Sequence, residues 1–167
     1  MNTLRLSTMA VAAALLVAAS ASAALGAAPK KVAFVAKYSG NATTKIDGSN
    51  AAISATGTGT ASQIGAGSIA GLGAGDTSQQ PCIPFTGTGK MTGKSGTVTF
   101  KVLSPSSGCG DEGGHNFTIT SKLAVVNATG KLAKAKGTLR MTGTYSHDDG
   151  SFTVKVSGTL TKERRKP

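Results

Sequence analysis

The chain has 167 residues and a formal net charge of +11, set by 18 Lys and Arg against 7 Asp and Glu. Aromatic residues are only 4% of it and Trp is absent, so the stacking platforms that make a basic protein a specific nucleic-acid binder are not supplied. No segment reaches the roughly 20 consecutive apolar residues of a membrane-spanning helix, and the length suits one ordinary domain.

The first residues fit a secretory signal peptide. Arg5 stands in a short n-region, an apolar run covers 9–19, and Ala21-Ser22-Ala23 makes a small-x-small cleavage site. A second cut after Ala27 also fits. Residues 1–23 are therefore set apart as a leader, 24–161 as a single domain, and 162–167 as a basic C-terminal tail containing Arg164, Arg165 and Lys166. The expectation is a secreted, extracytoplasmic product. No Cys follows either cut and no apolar tail precedes the C-terminus, which points to a free product, not an anchored one.

From Lys31 onward the hydrophobic period is two, the period of a half-buried strand. Candidate strands cover 32–38, 51–61, 63–71 and 85–92. They continue where Val98, Phe100 and Val102 alternate with Thr97, Thr99 and Lys101, and at Phe117, Ile119, Leu123 and Val125. Leu139, Met141 and Tyr145, then Phe152, Val154 and Val156, complete the set. Asp47-Gly48, Ser104-Pro105 and Asp148-Asp149-Gly150 read as turns between them, and only 131–136 hints at a helix. About eight short strands predict an all-β, antiparallel barrel.

Glycine sharpens this. In Ala55-Thr56-Gly57-Thr58-Gly59-Thr60-Ala61 each Thr falls on one face and each Gly or Ala on the other, and the tract through Gly75 continues in small residues. A strand bare on its inner face permits the coiling of a closed barrel or leaves room for a ligand. A flexible linker over 57–75 is the alternative, opposed by Ile64, Ile69 and Leu72. The outward Lys101, Lys122, Arg140 and Lys155 are incompatible with the apolar lipid-facing band of an outer-membrane barrel. Cys82 and Cys109, in an exported chain and with no partners at metal-ligand spacing, predict one disulfide.

The run Thr129-Gly130-Lys131-Leu132-Ala133-Lys134-Ala135-Lys136-Gly137-Thr138-Leu139, followed by Thr142-Gly143 and Gly158-Thr159-Leu160, resembles the closing strands of the allene oxide cyclase and dirigent proteins. It also resembles the ends of small exported bacterial proteins. The resemblance covers about the last third of the chain and implies an eight-stranded, calycin-like barrel. It further implies acidic and aromatic residues in the barrel mouth that hold and protonate a substrate. None of those matches a position here, so no catalytic residue is carried over.

The chemistry-bearing residues concentrate in two loops. One is Cys109-Gly110-Asp111-Glu112-Gly113-Gly114-His115 and the other His147-Asp148-Asp149. If both stand on one rim, Asp111, Glu112, His115, His147 and Asp148 form a candidate site with acid/base or metal-ligating capacity. The bland reading is a stapled surface loop plus an Asp-Asp-Gly turn satisfied by backbone and water; neither a metal nor another cofactor is predicted. Gly93-Lys94-Ser95 misses the phosphate loop because its first glycine is replaced by Thr88 and no helix follows. No Gly-x-Ser-x-Gly elbow is present. Three readings follow: a binding or structural module holding a small apolar ligand, an isomerase or cyclase of the resembled type, and an envelope protein held by charge to anionic polymers.

Overall fold

The alternation of apolar and polar residues closes on itself. In the computed structural model, which describes residues 28–163, eight strands form one closed antiparallel barrel in simple up-and-down order. They are β1 Lys30–Asp47, β2 Asn50–Ala61, β3 Gly65–Asp76, β4 Cys82–Gly93, β5 Gly96–Gly110, β6 Asn116–Ala128, β7 Gly137–Ser146 and β8 Ser151–Lys162. Each pairs with its successor, and β1 pairs with β8 from Lys30↔Lys162 to Asn41↔Ser151, so no sheet edge is left open. Residues 1–27, which include the leader expected at 1–23, and the tail residues 164–167 lie outside the described residues.

The expected barrel, strand number and disulfide are found: Cys82 and Cys109 are bonded and stand opposite one another on β4 and β5. Residues 57–75 are two paired strands, not a linker. Three local expectations change. β1 continues to Asp47 because Gly40, Ala42, Thr44 and Ile46 keep the inward parity past Tyr38. Ser104-Pro105 is no turn but a bulge inside β5, where the register to β6 shifts between Leu103 and Ser107. The bulge is pinned by buried Ser106, whose hydroxyl donates to the Leu103 carbonyl at 2.6 Å and lies 3.0 Å from Ser121 Oγ. The helical hint at 131–136 is a single 3-10 turn, Gly130–Leu132.

The two ends of the barrel differ. At the end where β1 begins and β8 finishes the interior is filled by Phe34, Met91, Val98, Leu123, Leu139, Val156 and Leu160, all essentially inaccessible. Leu132 and Ala135 from the β6–β7 connection, with Ile64 from the β2–β3 turn, plug that end. The connection is sewn down by backbone bonds from Thr129 to Thr97, Lys131 to Ser95 and Lys136 to Thr161. Toward the other end the inner faces of β2, β3 and β4 are nearly bare. Large rings from elsewhere cover some of these glycines: the Phe152 ring lies on Gly57, Tyr38 on Gly59 and Phe100 on Gly89. Closer to the mouth nothing covers Gly71.

Among the described residues, Tyr38 Oη is the buried side-chain polar atom without a hydrogen-bond partner, and burial raises the phenol's pKa. A buried unsatisfied hydroxyl costs roughly 1–3 kcal/mol. Tyr38→Phe is therefore expected to leave stability unchanged or raise it by about 1 kcal/mol in urea unfolding. Leu123→Ala, which empties a fully buried position, should lower stability by about 2–5 kcal/mol. A marked loss in Tyr38→Phe would mean that the hydroxyl has a partner.

Candidate functional site

Strand parity aims a ring of apolar side chains at the open end. Ile46 on β1, Ile53 on β2, Phe85 on β4, and Phe117 and Ile119 on β6 face inward but stay half-buried or exposed; Ile46 is 60% accessible. They surround a cavity of about 730 Å³ floored by Ile69, Phe100, Phe152 and Val154. Its size lies within the 300–1,000 Å³ of small-molecule sites. The space follows from the sequence of one wall: Ala55 on β2 pairs with Gly71 on β3, which pairs with Gly89 on β4. A Cβ built on Gly71 would find only the Thr88 carbonyl oxygen, at 3.4 Å. Polar groups inside the mouth are few; the Thr44 and Tyr145 hydroxyls lie 3.3 Å apart.

Four connections frame the mouth: Gly48–Ser49, 77–81, 111–115 and 147–150. Backbone bonds tie each to a neighbouring element. The Thr77 amide donates to the Ser49 carbonyl at 2.8 Å, Gly110 to Pro81 at 2.8 Å, His147 to His115 at 2.7 Å and Ala42 to Gly150 at 2.7 Å. The disulfide lies on the same rim. The opening is therefore preorganised.

The two loops carrying the candidate residues do meet here. Asp111 organises its own loop: its carboxylate accepts from the His115 amide at 2.9 Å, the Asn116 amide at 3.2 Å and Asn116 Nδ2 at 2.9 Å. The Asn116 bonds chiefly hold its pKa below the usual carboxylate range. His115 Nδ1 lies 2.8 Å from Asp148 Oδ1, an exposed ion pair with both side chains more than 60% accessible. Glu112 stands at the mouth without a hydrogen-bond partner among the described residues. His147 packs edge-on to Tyr145, with ring centroids 6.5 Å apart. Asp149 caps the β7–β8 turn by accepting from the Ser151 amide at 2.9 Å. Among the described residues, the one side-chain bond between candidate residues is that of His115 to Asp148 across the two loops; Asp111 folds its own loop, and Glu112 and the His147 ring stand apart from the pair.

No group of three or more His, Cys, Asp or Glu among the described residues is arranged to hold a metal ion. All seven acidic residues lie at strand ends or in connections, and of these Asp111 and Glu112 line the cavity at its rim, as does His147. The half-buried apolar ring was not singled out by the sequence reading, although Ile46 and Ile53 continue the period-two pattern that would have found it.

Fold and site define a closed, eight-stranded up-and-down barrel, plugged at one end and open at the other onto an apolar cavity. Comparison with family models, with curated proteins and with solved structures returns no match.

The His115–Asp148 hydrogen bond, with the attraction of the same carboxylate, raises the His115 pKa above the ordinary imidazole value. Protonated His115 therefore favours the closed pair of loops. That contribution is complete below the unfolded-state pKa and is lost as pH rises through the higher folded value. An NMR titration should place the His115 midpoint above about 6.5, and Asp148→Asn should bring it down. An unmoved midpoint in Asp148→Asn would sink the pairing.

Proposed function

We propose that this protein is a secreted binding module that holds a small apolar ligand inside the open half of its barrel. The observation that carries the reading is the cavity itself: inward-facing Ile46, Ile53, Phe85 and Phe117 are left uncovered around about 730 Å³ of space. Apolar side chains pointing inward but unburied gain free energy when a ligand covers them, at about 25 cal/mol per Å². Few polar groups converge inside, so shape and volume would set ligand choice more than directional bonds. The disulfide suits an oxidising compartment, in keeping with the leader at 1–23. No described helix is long and apolar enough to cross a membrane. A cyclase or isomerase of the allene oxide cyclase or dirigent type has less support: Asp111, Glu112 and His147 line the cavity only from the rim connections, Asp111 is engaged by its own loop, and no carboxylate occupies an inward strand position beneath them.

The reading is tested by titrating the full chain with an environment-sensitive apolar dye and then displacing it with fatty acids and alcohols of graded length. Gly71→Leu combined with Ala55→Leu fills adjacent inward positions without touching the rim. It should weaken dye binding by at least about tenfold, the cost of losing one to two buried methylenes or more. Circular dichroism would verify that the barrel remains folded. Equal dye binding by parent and variant, or none by the parent, would defeat the proposal.

A further inference from the structure

The charges of this chain are sorted by height along the barrel. Six of the seven acids, Asp47, Asp76, Asp111, Glu112, Asp148 and Asp149, lie at the mouth. The plugged end carries Lys30, Lys31, Lys94, Lys131, Lys134, Lys136 and Lys162, opposed there by Glu163. All but Lys162 are fully exposed. Strands of about twelve residues rise about 3.3 Å per residue and tilt by about 40°, so the two ends stand about 30 Å apart. That is several Debye lengths at physiological salt, each about 8 Å, so a surface at one end senses little of the other.

We infer that the plugged end is a docking face for an anionic lipid bilayer, on which the barrel stands with its mouth turned away. Three observations select a planar anionic surface. The end lysines come from β1, the β4–β5 turn, the β6–β7 connection and β8, spread over a disc that one plane can meet at once. Of the remaining described cations, Lys45 lies at the mouth end of β1, and Lys37, Lys90, Lys101, Lys122, Arg140 and Lys155 form a cross-strand row on the wall from β4 through β8 to β1, which curves around the barrel so that no one plane meets the whole row. The acidic mouth is repelled by the same surface, which fixes the orientation. A linear polyanion would be better served by the wall row of cations than by the disc at the plugged end. Two exposed valines, Val35 and Val126, lie near the same end and add apolar contact at its margin. The ligand cavity of the proposed function would then open to the aqueous side.

The test is co-sedimentation of the full chain with vesicles of phosphatidylcholine containing phosphatidylglycerol, against vesicles of phosphatidylcholine alone. The neutral vesicles account for any contribution of the apolar 9–19 run. Binding should require the anionic lipid and fall steeply from low to physiological salt. Replacing three end lysines, Lys131→Gln, Lys134→Gln and Lys136→Gln, should cost on the order of a hundredfold in affinity, since each basic residue near an anionic surface contributes about fivefold. The wall triple Lys101→Gln, Lys122→Gln and Lys155→Gln removes the same charge and should cost at least about ten times less. Equal losses from the two triples would show that net charge acts without a docking face. Binding to soluble polyphosphate but not to vesicles would replace the bilayer with a linear polyanion, and salt-sensitive head-to-tail self-association without vesicle binding would replace it with a second copy. Either result overturns the inference. Dye binding in the cavity should be the same in both triples, so failure here is separable from failure of the ligand reading.

Discussion

The pairing of β1 with β8 is the contact on which everything else rests. Every other ladder joins sequence neighbours, whereas this one brings the two ends of the domain together over twelve residue pairs. Without it, the sheet would have two long free edges, the alternation of side chains would have no inside, and the space framed by the mouth would be a groove. The pairing also sets the start of β1 and the end of β8 side by side at the plugged end.

Closure makes an interior but does not decide how it is filled. That is settled by unequal side-chain volume. Leu123, Leu139, Met91 and Phe34 saturate the plugged half, while Gly71 and its neighbours leave the other half unsaturated. The rings of Phe100, Phe152 and Tyr38 lie across from β2 and β4 onto glycines, which shows how far large residues compensate for small ones before the supply ends. The rim then stabilises the opening with local devices: a disulfide, carboxylates that accept from loop amides, and backbone bonds between connections.

Much of the fold was legible because strand periodicity is a local signal. Val98, Phe100 and Val102, or Phe152, Val154 and Val156, state their facing unaided, and the Thr/Gly alternation at 55–61 identified a wall without inner side chains. The pairing of Cys82 with Cys109 was readable from their number and setting. What escaped had a non-local cause. Gly40 masks the continuation of β1, and the extension is apparent only when its partners on β2 and β8 are known. Ser104-Pro105 looks like a turn because proline there removes a donor, yet it sits within a bulge whose unpaired groups are served by Ser106 and Ser121. The meeting of His115 with Asp148 depends on both loops falling on one rim, which follows from strand count and order and from nothing within either loop. The apolar ring at the mouth went unnoticed because its residues look like ordinary core positions; only their remaining exposure sets them apart.

The bare wall has a mechanical side as well. Across Gly71, Gly73 and Gly87, the strands β3 and β4 are joined by backbone bonds with little side-chain packing behind them, and glycine adds backbone entropy to every opened state. Such a region exchanges its amides through smaller openings than a packed wall does. The stretch of β3 and β4 around Gly71, Gly73 and Gly87 is therefore where side-chain packing opposes local opening least, so a guest slightly too large for the cavity would press first on that stretch.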